Sequence, residues 1–232
     1  ARQLPNQILA DPFNGDFGLS LGAANYYLKN KIINNEIYLG IPQEIDSSIF
    51  SKYDIIDTTP DKVAEILITE PVAIFQSRSE QGQRGLGNRS LLMSPVHKDS
   101  YNKLNKIKKR EWFRPFACSV LEEKAKEWFK MPIEKSPHMM YVFKIKKQKI
   151  LTTGLSKNND SRIQTVSEKD NLHFYNLIKA FDKLVNVPIL INTSLNLPGE
   201  VLVETMQDLK EFFDSSELNY IYLPEIGKII KK

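Results

Sequence analysis

Strands that alternate with helices along most of the chain predict an α/β protein built on a mixed sheet. Three observations carry this: short aliphatic runs such as "PVAIF" and "VPILI", amphipathic stretches at helical spacing between them, and polar residues that begin abruptly where the runs end. With 232 residues, 41% of them hydrophobic and 10% aromatic, the chain has apolar material for one large domain or for a domain with an appendage. Disorder is excluded as its main state.

The opening "ILADPFNGDFGLSLGAANYYLKN" reads as a turn-rich loop, then a helix from about Gly18 whose small residues suit close packing. Residues 30–57 read as a linker with polar turns. A helix begins at "TTPDKVAEILI", with Thr59 as its cap, Pro60 in the first helical position and Asp61 at the positive end of the dipole. "PVAIF" and "SLLMSP" are strands on either side of a polar loop. A helix over 98–108 lines up Tyr101, Leu104 and Ile107, while Lys103, Lys106 and Lys109 point elsewhere. "FRPFACSVLEE", "MMYVFKIKK" and "SRIQTVS" alternate like strands. Ser167 with Asp170 makes a capping-box-like start to a long amphipathic helix carrying Leu172, Tyr175, Ile178 and Phe181 along one side. The apolar strand "VPILINTSLN", the capped helix "TMQDLKEFFDS" and a last strand, "YIYLP", complete the pattern.

Composition narrows the chemistry. No apolar run approaches the roughly 20 residues that span a bilayer, and "ARQLPNQILADP" lacks the order of a signal peptide, which predicts a cytoplasmic protein without membrane attachment. Cys118 is the only cysteine, so intrachain disulfides and cysteine-based zinc sites are excluded. Its setting, "FACSV", reads as a buried core thiol. The net charge of +4 is modest, but "KLNKIKKREWFR" gathers six Lys or Arg against one Glu, a pattern that suits a polyanion and equally a solvated helix face.

Three stretches leave strands and turn polar at once: "GQRGLGNRS", "SRIQTV" and "NTSLN". In open α/β sheets such strand ends carry the ligand site. Glycines in the first let backbone approach a ligand and expose N–H groups, while Arg84 and Arg89 supply forks that match phosphate oxygens. It is neither a P-loop nor a dinucleotide fingerprint, and the same pattern also suits an arginine-rich structural turn. Lys108 and Arg114 bracket "REWF", which predicts that both face one edge. Thr193, Ser194 and Asn196 offer hydroxyls and an amide at a strand end, for a small planar group or for capping. His97, His138 and His173 are scattered and form no triad, so the site reads as rich in cations and poor in acids and bases. Such a set favours positioning and charge stabilisation, as in phosphoryl or nucleotidyl transfer.

Four motifs in one order, from residue 71 to 223, resemble the NodU/CmcH-type O-carbamoyltransferases, which include nodulation-factor and antibiotic-tailoring enzymes. They are "GQRGLGNRS", "KKREWFRPFACSVLEE", "SRIQTVSEKDNLHFYNLIKAF" and "VPILINTSLNLPGEVLV". The resemblance implies a YrdC-like twisted mixed sheet with flanking helices over 44–232, preceded in 1–43 by the end and linker of an ASKHA-type transfer domain. It further implies that ATP, with Mg2+, and carbamoyl phosphate form carbamoyl adenylate, whose carbamoyl group passes to a hydroxyl-bearing acceptor. Lys108, Arg114 and Arg162 would then handle carbamoyl phosphate and the ATP phosphates. Arg84, Asn88 and Arg89 would belong to the phosphate cradle, and Ser194 with Asn196 would meet the carbamoyl group or α-phosphate.

"DPFNGDFGLSLGAA" resembles the segment in which this family's transfer domain supplies an aspartate to a divalent metal, iron among the candidates; that residue is Asp16. A calcium-loop reading of Asp11, Asn14 and Asp16 fails because Phe13 stands where a ligand belongs. The family's H-x-x-x-H metal ligands are missing from this sequence, so the resemblance implies a second polypeptide or domain that completes the transfer site. Gln83 and Cys118 replace family prolines, and "SKNND" precedes Ser161. A second reading is a basic YrdC-like RNA-binding module, from Trp112 and Phe113 among the lysines; a third is a threonylcarbamoyl-adenylate-type module.

Overall fold

The computed structural model describes residues 11–29, 36–82, 84–111, 113–147, 151 and 158–232. Most of the segment read for a leader, the first six residues of the expected linker, Gln83, Trp112 and the first two residues of "SKNND" lie outside the described residues. Strands β1 (Asp54–Asp57), β2 (Val72–Phe75), β3 (Arg89–Met93), β4 (Ala117–Leu121), β5 (Val142–Lys144), β6 (Asp160–Val166), β7 (Ile189–Ser194), β8 (Tyr220–Leu223) and β9 (Lys228–Lys231) form one sheet. Their order is β1-β9-β8-β2-β3-β7-β4-β6-β5, with β2–β8 and β4–β6 parallel and the other pairings antiparallel. The α/β expectation with a mixed sheet therefore holds.

The helices α1 (Leu19–Leu28), α2 (Pro60–Leu67), α3 (Ser100–Lys108), α4 (Ala125–Trp128), α5 (Leu172–Val185) and α6 (Met206–Ser215) explain why the central strands read as continuous apolar runs. Successive strand residues face opposite sides, and both sides are covered. In β2, Val72 and Ile74 pack with Val63 and Leu67 of α2 and Phe174 and Ile178 of α5. Ala73 and Phe75 instead join Leu104 of α3 and Leu209 and Phe213 of α6.

Local signals placed most of these elements. Thr59 Oγ1 caps α2 by accepting from Lys62 N at 3.4 Å. Thr205 and Asp208 form a reciprocal capping box at α6. Two expectations change. Asn171 caps α5, its Oδ1 accepting from Phe174 N at 3.1 Å, while Ser167 and Asp170 bond each other one turn earlier, so Leu172 is left half exposed. Residues 36–57 are more than a linker. Ile37 and Gly40 bond the loop before β3 through Gln81 N→Ile37 O (2.7 Å) and Gly40 N→Ser79 O (3.1 Å). Phe50 is fully buried, and β1 pairs with β9 at the sheet edge. The small residues of α1 meet no close neighbour among the described residues: none of the helix is buried.

Candidate active site

A glycine-rich turn leaves backbone amides without side chains to cover them, and a buried amide needs an acceptor. Glu80 provides it. Its buried carboxylate accepts from the N–H groups of Leu86, Asn88 (3.3 Å) and Arg89 (3.4 Å), while Gly87 N donates to Ser90 Oγ at 2.9 Å. The expectation that this loop turns its N–H groups toward a phosphate is thus corrected, since an internal anion already takes three of them. Burial pushes the Glu80 carboxyl up, against the pull of these amides and of Arg89. Glycine is required twice here. Gly87 has φ of +112° and a Cβ there would lie 2.3 Å from the Phe174 ring; at Gly85 it would lie 2.9 Å from Ser194 Cα. The second contact stitches the loop onto the end of β7.

Arg89 and Arg84 were expected to act together, and they part company. Arg89 begins β3, is fully buried and lies 3.7 Å over the Phe75 ring. Its guanidinium donates to Gln76 O (2.6 Å), Asn88 O (3.1 Å), Ser77 O (2.9 Å) and Glu204 O (3.0 Å). Its donors tie three chain segments together, and it does not line the cavity that holds Arg84. Asn88 is also internal, donating to Arg78 O at 2.7 Å and accepting from Asn171 Nδ2 at 2.8 Å.

Arg84 instead lines a small cavity with Arg110 and Arg162, walled by Gly85, Pro115, Phe116, Ala117, Met139, Asn192, Thr193 and Ser194. Its volume of about 120 Å³ suits a phosphate-sized anion and not a whole nucleotide. Among the described residues no carboxylate lines it. Burial lowers the pKa of all three guanidiniums, and mutual repulsion adds to this: Arg162 acts on Arg84, while Arg114 and Arg162 act on Arg110, which is held down to about 10. Three partly desolvated cations around one cavity are the electrostatic complement of an anion.

Arg110 was not singled out from the sequence, and it occupies the place expected of Arg114. Helix α3 ends at Lys108, and Lys109 reverses the chain with φ of 44°. That turn lays the Arg110 guanidinium 3.9 Å over Phe116 and lets Nε donate to Asn105 Oδ1 at 2.9 Å. Arg114 lies beyond it, its side chain 59% exposed and 3.5 Å from Glu111. Only its carbonyl faces inward, accepting from Tyr101 OH at 2.7 Å.

Lys108 is buried against the turn after β7. Its ammonium donates to Ser194 O (2.8 Å), Asn196 O (2.6 Å) and Asn196 Oδ1 (2.6 Å), one acceptor for each proton. Burial and nearby Arg110 push its pKa down to about 7. Ser194 Oγ also donates to Asn196 Oδ1 at 2.8 Å, and Asn196 Nδ2 donates to Glu200 O at 2.8 Å. Lys108, Ser194 and Asn196 are therefore brought together as predicted, with Ser194 on the arginine cavity and Asn196 behind it.

Asp16 opens a short 3-10 turn before α1. Among the described residues no group of three or more His, Cys, Asp or Glu side chains gathers to hold a metal ion. One carboxylate does not make such a site. A larger cavity of about 450 Å³ lies beside Tyr38, Lys135, His138, Lys169, Asp170 and Asn171. Its charges are of both signs, whereas the arginine cavity has one sign only. Two residues that line the larger cavity, Tyr38 and Gln164, both bond the Leu86 carbonyl, Tyr38 OH at 3.1 Å and Gln164 Nε2 at 2.8 Å.

An anion that relieves the arginine repulsion stabilises the fold by mass action. Pyrophosphate at 100 times its Kd is expected to add about 2.7 kcal/mol, which for a chain of this size raises the Tm by roughly 5–10 °C. Differential scanning calorimetry with the native chain and Arg162→Ala checks this; the shift disappears in the variant if the cavity is the site.

The fold and this cavity describe an α/β protein with a pocket built for a small anion. The chain belongs to the carbamoyltransferase C-terminus family, which matches residues 63–230. It is 40% identical to the nodulation protein NolO of Bradyrhizobium diazoefficiens over 62% of this chain and 27% of that one. It is 30% identical to the 3'-hydroxymethylcephem-O-carbamoyltransferase of Amycolatopsis lactamdurans over 90% of this chain and 41% of that one. The chain thus spans less than half the length of these relatives. Among solved structures, full-length HypF in its phosphate- and nucleotide-bound form superposes with a TM-score of 0.50 at 18% identity, covering 71% of this chain and 24% of that one, which shows a shared fold. Among the described residues no helix is long and apolar enough to cross a membrane.

Proposed function

We propose that this chain activates a carbamoyl group as carbamoyl adenylate, using carbamoyl phosphate and MgATP, for transfer to an acceptor hydroxyl. The observation that carries the reading is the convergence of Arg84, Arg110 and Arg162 from three separate stretches on one cavity that, among the described residues, no carboxylate lines. Family membership and a relative whose name is O-carbamoyltransferase support it.

The atoms balance in two steps. Water first cleaves carbamoyl phosphate to carbamate and inorganic phosphate. A carbamate oxygen then attacks the α-phosphorus of ATP, the bond to the β-phosphate oxygen breaks, and pyrophosphate leaves. The arginines hold phosphoryl oxygens and offset the charge that gathers on the leaving group. Lys108 fixes the Ser194–Asn196 turn, and so the Ser194 hydroxyl, at the cavity edge. Mg2+ would come with ATP. Transfer itself we assign to an ASKHA-type domain of which 1–43 is the end, completed by a second polypeptide or domain that supplies metal ligands beside Asp16. A cytoplasmic location follows from these substrates.

The test is pyrophosphate release from MgATP. It is expected to depend on carbamoyl phosphate and to disappear when that compound is omitted or replaced by inorganic phosphate. Release that is indifferent to carbamoyl phosphate, or none at all from a chain that binds pyrophosphate, overturns the reading.

A further inference from the structure

Asn192 lies in β7, lines the arginine cavity and is 1% exposed. Its amide can be oriented without ambiguity. One end sits 3.1 Å from Gly85 O, 2.8 Å from Ser119 Oγ and 3.2 Å from Gln164 Oε1. Gly85 O is a carbonyl and can only accept, and Ser119 Oγ spends its proton on Gln164 Oε1 at 2.8 Å. The nitrogen therefore faces these three acceptors, and the oxygen is turned away from them. Among the described residues that oxygen, buried, has no hydrogen-bond partner. On the same cavity, Arg110 Nη2 is a buried donor with no partner either.

A buried polar atom without a partner is costly, and a site that keeps one holds it for something that arrives. The arginines are donors only and call for acceptor oxygens. Asn192 Oδ1 calls for a donor, which a bare phosphoryl group does not supply and which Arg110 Nη2, itself unpartnered, does not reach. The complementary ligand is an anion that carries an N–H group next to its phosphate.

We infer that Asn192 reads the amino group of the carbamoyl substrate and is the residue by which this site separates carbamoyl from acyl phosphates. The inference rests on the function proposed above and adds its specificity element. Asn192 contacts the non-reacting nitrogen, and its own amide nitrogen keeps the oxygen aimed by bonding Gly85, Ser119 and Gln164. A methyl group in place of the amino group would leave the oxygen unpartnered, a loss that substrate binding cannot recover elsewhere.

Two stable phosphonates of the same shape isolate this contact. Phosphonoacetamide carries the amino group, and acetonylphosphonate has a methyl in its place. Isothermal titration calorimetry on the native chain is expected to show phosphonoacetamide binding roughly 10- to 100-fold more tightly. Asn192→Ala is expected to bring the two to within about threefold of each other, by weakening phosphonoacetamide alone. Should that variant fail to fold, the preference of the native chain still decides the matter. Equal affinity for the two compounds overturns the role of Asn192 while leaving the proposed function standing. Failure of both to bind, together with failure of pyrophosphate, overturns both.

Discussion

Arg110→Ala is expected to slow carbamoyl-phosphate-dependent pyrophosphate release by about 100- to 1,000-fold, the loss typical of removing one preorganised charge from a transition state. Arg114→Ala is expected to change it by less than about fivefold. The contrast follows from where each guanidinium is. Arg110 is held flat on Phe116, has Nε anchored to Asn105, and keeps a buried Nη2 without a partner on the cavity wall. Arg114 is mostly exposed, and its ion pair with Glu111 is of the solvated kind worth about 0–1 kcal/mol. Because the proposed role of Arg110 is exercised on the leaving group, the loss should appear in kcat as well as in kcat/KM. Circular dichroism separates this from unfolding: the Arg110 side chain contributes one charge-assisted hydrogen bond and one ring contact to the fold, which cost about 2–3 kcal/mol to remove. A larger loss from Arg114→Ala than from Arg110→Ala would place the chemistry outside the cavity described here.

That pair also shows where reading the residues succeeds and where it stops. The link of these cations to the "NTSLN" strand end came only with the family resemblance, whereas their clustering in "KKREWFR" was visible, because charge is a local property. Which arginine faces in was not, since it depends on a left-handed turn at Lys109, a position with no glycine or asparagine to signal it. The start of α5 was misplaced by one turn for a similar reason. Ser167 and Asp170 have the spacing of a capping box and do bond each other, but Asn171 makes the bond that begins the helix. Strands β1, "DIID", and β9, "KIIK", contain two apolar residues each and gain definition only from each other, Ile55 opposite Ile230 and Ile56 opposite Ile229. Pairing across the length of a chain leaves no local trace. The two polar residues that hold the floor of the site, Gln164 and Asn192, stood inside quoted motifs and were passed over. So was Glu80, for which a signal existed: a run containing three glycines has amides to satisfy, and an acid two residues ahead of it is the nearest acceptor.

Arg89→Leu is expected to lower stability by about 3–5 kcal/mol, the range for breaking a buried charged network from one side, and so to lower the Tm by roughly 6–20 °C for a domain of this size. Four backbone carbonyls, at Gln76, Ser77, Asn88 and Glu204, would lose a charged donor at once. Glu80, already pushed up by burial, would lose the nearby positive charge that favours its ionised form. The loop amides it collects would then be left around a carboxyl that protonates more readily. Arg89→Lys keeps the charge but not the flat fork that spans separate carbonyls while stacking on Phe75, so most of the loss should persist. Arg84→Ala, five residues earlier in the same loop, should do the opposite to the balance of charge. It removes a cation that repels Arg162, and stability is expected to stay within about 1 kcal/mol of the native chain while anion binding is lost. Urea unfolding of the three variants measures this directly. If Arg89→Leu instead folded normally and failed only to bind pyrophosphate, Arg89 would be a ligand of the substrate, and the loop would have to be rebuilt around a phosphate rather than around Glu80.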